Sequence, residues 1–178
     1  ANYDLSRKDF DSAIASLRTV LRNNPDSEEG LILLGNVYLA SGSELLADDS
    51  FRQALDLNAA NIDAALPVVK NLMATQDLER SDIIISRALI SRPKDARLLK
   101  FLIQIKILKK DWSSAINTIN QLVALSGNDD YAAFLLGRVH QQQGNFNEAI
   151  ENFHRSLVLN PRLVPALQGL TVSYLAIS

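Results

Sequence analysis

No cysteine occurs in the sequence, which excludes disulfides, thiolate nucleophiles and sulfur-ligated metals from its chemistry. A chain without thiols suits oxidising and reducing compartments equally, so the cytoplasm and a bacterial periplasm both stay open. An excess of charge of one sign is also missing: 18 Lys+Arg stand against 20 Asp+Glu, for a formal net charge of −2. That balance supplies no overall field to hold a polyanion, and no nucleic acid is expected among the partners. Histidine is scarce. His140 and His154 are the only two, they fall on different expected helices, and their spacing builds no metal site. No apolar run reaches the roughly 18 to 20 residues of a membrane-spanning helix, so direct membrane insertion is not expected. Phosphate-binding glycine loops, dinucleotide fingerprints and nucleophile elbows are absent as well. Ser91-Arg92-Pro93-Lys94 matches the S-x-x-K nucleophile pattern, but without its companion motifs and at a junction between helices. The expectation is therefore no catalytic residue, no metal and no cofactor.

What the sequence does hold is repetition. Leu33 to Phe51 reads LLGNVYLASGSELLADDSF, and Leu135 to Phe153 reads LLGRVHQQQGNFNEAIENF. The two stretches lie 102 residues apart, three times 34, and the intermediate copies exist. Ala13, Ala47, Ser81, Ala115 and Ala149 recur at that spacing, as do Leu17, Phe51, Ile85, Ile119 and Phe153. A fixed period in this range marks a stacked-repeat architecture. Within each copy the apolar residues return at steps of three and four, so the elements are amphipathic helices, two per copy, and nothing alternates like a strand.

Short polar side chains mark the helix starts. Asp9, Ser43, Asp77, Asp111 and Asn145 open one helix of each copy, and Ser27, Asn61, Asp95 and Asp129 open the other. Asn145 with Glu148 has the spacing of a reciprocal cap. Gly42 and Gly144 lie between paired helices, where a left-handed backbone favours glycine. Gly35 and Gly137 fall inside helices, where glycine costs about 1 kcal/mol relative to alanine. They are expected at helix crossings, facing Ala47 and Ala149. Val69 and Ile103 occupy the same place in the middle copies and should open those hairpins somewhat. Pro67, well inside its helix, should kink it.

On these residues the chain resembles the tetratricopeptide repeat (TPR) family. The family pattern appears as Leu31, Leu34, Gly35, Tyr38, Ala47, Phe51 and Ala54, with Ala59 in place of the closing proline, and again as Ala133, Leu136, Gly137, His140, Ala149, Phe153, Ser156 and Pro161. The resemblance covers the whole chain. It implies an all-α fold, a right-handed α-solenoid of stacked antiparallel helix pairs. A single array is expected, with a partial repeat at 1–27, full repeats at 28–61, 62–95, 96–129 and 130–163, and the first helix of another at 164–178. The cut at both ends suggests a piece of a longer protein.

The resemblance also implies a function: a non-enzymatic scaffold for protein–protein interaction, whose first helices line a concave groove that holds a peptide segment of a partner. Carried over by register, the groove residues include Asn36, Lys70, Arg97, Lys100, Gln104, Tyr131, Phe134 and Arg138, with Gln141 and Gln168 beyond. Four of these are basic and two aromatic, so an acidic partner segment with an apolar anchor is expected. The carboxylate clamp of some relatives is met only at Asn36 and Arg97, because Ile32, Pro67 and Phe101 occupy its other places. Two further roles fit the same repeats: a substrate-recruiting region of a larger enzyme such as a glycosyltransferase, or a bacterial envelope assembly lipoprotein.

Overall fold

A computed structural model describes residues 9–127 and 129–178. Among them are ten α-helices and no strand: α1 (Phe10–Asn23), α2 (Glu28–Ala40), α3 (Glu44–Leu57), α4 (Ile62–Ala74), α5 (Leu78–Ser91), α6 (Ala96–Leu108), α7 (Trp112–Ser126), α8 (Asp130–Gln142), α9 (Phe146–Leu159) and α10 (Val164–Ile177). Alternate helices begin 34 residues apart. The fold is all-α, of the solenoid class, and within α1 to α5 and within α6 to α10 each helix packs against the next. The described residues up to Pro93 form one compact unit, α1 to α5, and those from Lys94 form a second, α6 to α10.

The polar residues at the starts act as caps. Asp9, Asp77 and Asp111 accept hydrogen bonds from the amides of Ser12, Arg80 and Ser114 at 3.2 Å each. Ser27 and Asn61 accept from Gly30 and Ala64. Each such bond satisfies one amide that the helix itself leaves open. Ser43 and Asn145 are at the cap positions without making this bond, so the reciprocal cap expected at Asn145 and Glu148 does not form. Gly42 and Gly144 take φ of 79° and 80° as expected. Gln76 and Lys110, at the same repeat place, adopt φ of 63° and 58° with side chains present. That conformation costs a non-glycine residue about 1–2 kcal/mol, so the tight reversal between helices is imposed by packing on both sides and not by local preference. Pro67 removes one ladder bond, yet α4 continues as a helix through it from Ile62 to Ala74.

The recurring small residues Ala13, Ala47, Ser81, Ala115 and Ala149 are all completely buried. Ser81 tolerates this because its hydroxyl donates to the Asp77 carbonyl at 2.8 Å. Gly35 and Gly137 have a different partner from the one expected. A Cβ on Gly35 would first meet three Phe51 ring atoms at 2.7–2.9 Å, and one on Gly137 would meet the Phe153 ring at 2.6–3.0 Å. Phenylalanine, not alanine, therefore occupies the space that each glycine leaves. In the other two pairs the roles shift: Val69 and Ile103 stand at the glycine place, while Ile85 and Ile119 stand at the phenylalanine place, all four with no exposed surface. Volume added at one position is removed from the other, as close packing requires.

Candidate functional site

In the second unit, α6 and α8 bring together five of the residues expected in the groove. Lys100 Nζ lies 5.0 Å from the centroid of the Tyr131 ring, and Gln104 donates through Nε2 to the Tyr131 hydroxyl at 2.9 Å. The Tyr131 and Phe134 rings are 5.6 Å apart and tilted by 41°. Arg138 places its guanidinium carbon 5.9 Å from the Phe134 centroid. Cation, ring, ring and cation thus form one row. Each cation is attracted to the negative face of the ring beneath it, which fixes long, flexible side chains without neutralising their charge. Phe134 is only 7% exposed and touches Phe153 at a centroid distance of 6.1 Å, so it is the floor of the row and not a free contact.

A cleft of about 350 Å³ extends the row, with Phe134 and Arg138 of α8 on one side and Pro165, Gln168 and Val172 of α10 on the other. Gln141, expected in the groove lining, borders this cleft and braces α8 against α10: its Nε2 donates to the Gly169 carbonyl and to Ser173 Oγ, both at 2.9 Å. Gly169 itself lies outside the repeating glycine series. A Cβ there would meet the Phe153 ring at 2.5–2.8 Å, so this glycine lets α10 close onto α9.

Arg97 has a more local role than the one expected of it. Its guanidinium pairs with Asp95 at 3.1 Å, while Asp95 also accepts from the Arg97 and Leu98 amides as the cap of α6. The side-chain hydrogen bond from Arg97, chiefly, holds the Asp95 carboxyl below the ordinary carboxylate range, against the opposing effect of burial. A folded-state value below the unfolded one stabilises the fold fully above the ordinary value, and this contribution is lost as pH falls through the folded value. Replacing Asp95 by Ala is expected to cost about 1 kcal/mol at neutral pH, within the range for a lost cap. In urea titrations the deficit should shrink as the pH falls through the acidic range; a deficit independent of pH would count against this role of the carboxylate.

Asn36 and Lys70 belong to the first unit, both exposed, on α2 and α4. Lys70 borders a cleft of about 240 Å³ floored by Leu39, Phe51 and Pro67, with Asp48 on its rim. That carboxylate is held by Arg52 at 2.6 Å and by Asn71 at 3.1 Å. Among the described residues no group of three or more His, Asp and Glu side chains stands together to hold a metal ion. His140 is half-buried, and its Nδ1 has no hydrogen-bond partner.

Residues 1–133 match the model of the cytochrome c-type biogenesis protein H TPR domain, and residues 130–163 match the general tetratricopeptide repeat model. The cytochrome c-type biogenesis protein CcmH of Escherichia coli (strain K12) is 34% identical over 73 residues, which is 41% of this chain and 21% of that protein. The chain therefore spans well under two thirds of that relative's length. A tetratricopeptide repeat protein from Parabacteroides merdae superimposes with a TM-score of 0.89 at 18% identity, covering 99% of this chain and 70% of that one. YrrB, described as a TPR protein with an unusual peptide-binding site, gives 0.79 at 17% identity, covering 94% of this chain and 86% of its own.

Proposed function

The chain belongs to the family of the cytochrome c-type biogenesis protein H TPR domain, and from that premise we propose that it holds a segment of a partner protein on the α6 and α8 face during cytochrome c-type biogenesis. Tetratricopeptide repeats of this kind mediate protein–protein contacts. The row of Lys100, Tyr131, Phe134 and Arg138 is the single observation that carries the assignment to this face. Two cations held over aromatic rings favour a segment whose carboxylates reach Lys100 and Arg138 while an apolar side chain enters the cleft beside Phe134 and Val172. The role is one of binding, without catalysis. The ring row offers area and orientation and contains no nucleophile paired with a base.

Affinity capture from native lysate with the wild-type chain and a Lys100→Glu/Arg138→Glu variant tests this. Charge reversal at two contacts is expected to lower recovery of the specific partner about tenfold or more, mostly through weaker steering and lost charge-assisted bonds. Equal recovery by both proteins would remove the assignment to this face.

A further inference from the structure

The first unit carries a cleft of different chemistry, between α3 and α5, with a volume of about 340 Å³. Its floor is apolar. Val68 of α4 is fully buried, Leu55 and Ile84 are half-buried, and Ile83 is 51% exposed beside them. Around this floor stand Arg52, Arg80 and Arg87, against one carboxylate, Asp56. Arg52 is engaged with Asp48 at 2.6 Å, but the pair formed by Arg80 and Asp77 is 3.5 Å long, with Arg80 69% exposed. Exposed pairs of that kind hold weakly and exchange partners readily. Arg87 has no ion pair among the described residues.

We propose that this cleft is a second docking site, for an acidic segment of a partner protein that seats an apolar side chain between α3 and α5 and turns flanking carboxylates toward Arg80 and Arg87. The choice of cation supports a carboxylate-bearing occupant: all three are arginine, whose planar fork meets a carboxylate through two parallel hydrogen bonds. Recessed apolar floors with arginine at the margin are also where binding energy concentrates at protein interfaces. A lipid surface fits less well. The apolar residues of the floor are sunk between helices, where a flat bilayer surface does not reach them.

The test uses the whole chain and a fluorescein-labelled amphipathic peptide of leucine and glutamate at helical spacing, followed by anisotropy. A matching peptide with glutamine for glutamate is the control. Arg80→Gln/Arg87→Gln and Ile83→Gln change exposed positions, and far-UV circular dichroism checks that each variant keeps its helices. Each variant is expected to weaken binding about tenfold, and the glutamine peptide should bind comparably weakly to the wild type. The proposal is overturned if both variants bind as the wild type does, if the glutamine peptide binds equally well, or if only Lys100→Glu/Arg138→Glu reduces binding. Capture of the chain by phosphatidylglycerol vesicles, with no peptide binding, would overturn it too.

Discussion

Phe153→Ala is expected to destabilise the second unit by about 3–5 kcal/mol, the range for removing a fully buried phenylalanine. The ring has no exposed surface. It lies against Gly137 of α8 and Gly169 of α10, and it backs Phe134. Glycine cannot reach into the void left by the substitution, so the cavity would close only by moving helices. Against a typical domain stability of about 5–15 kcal/mol, the loss is a large fraction. Urea denaturation followed by circular dichroism measures it. The same variant should bind the partner segment less well, because Phe134 would lose the surface that holds it beneath Tyr131 and Arg138. An unchanged unfolding midpoint would show that the ring does not fill this space.

The second large effect is expected in the first unit, where Gly35→Val should cost about 3 kcal/mol, the upper end of ordinary overpacking. In an exposed helix, replacing glycine by alanine gains about 1 kcal/mol from backbone entropy. Here the added carbon would stand 2.7–2.9 Å from three atoms of a ring that is 1% exposed, and valine adds two methyl groups to the conflict. The clash outweighs the propensity. Gly42 separates the two causes, because a Cβ there meets nothing within 4 Å while φ is +79°. A substitution at Gly42 would lose stability through backbone strain alone.

The helices and most of their starts were legible in the sequence, because capping and periodicity are local properties and seven of the nine expected cap residues make the bond. Partner identity was less legible. A repeat register reveals that Gly35 and Phe51 recur, but not that one fills the space the other leaves. Gly169 is not visible in the repeat because it lies out of phase with Gly35 and Gly137, and its reason for being small is the Phe153 ring of the preceding helix. For the site, register placed Lys100, Gln104, Tyr131 and Arg138 on neighbouring helices, where they do meet. It does not reveal that Arg97 pairs with a carboxylate two residues away. Gln141 is similar: spacing gives its direction of projection but not the carbonyl on α10 that its amide meets. The left-handed Gln76 and Lys110 show the converse, tertiary packing overriding a local preference that would have called for glycine.

Volume matching between the glycine and phenylalanine places is what closes each helix pair and fixes the face it presents, and the chain contains its own alternative solution. Val69 and Ile85 occupy in α4 and α5 the places that Gly35 and Phe51 occupy in α2 and α3. The most direct measurement is therefore a double-mutant cycle by urea unfolding on Gly35→Val, Phe51→Ile and the two combined. The expected result is coupling of at least about 1 kcal/mol, with the double variant more stable than Gly35→Val alone. Losses that simply add would contradict it, since they would mean that the two side chains do not share one space.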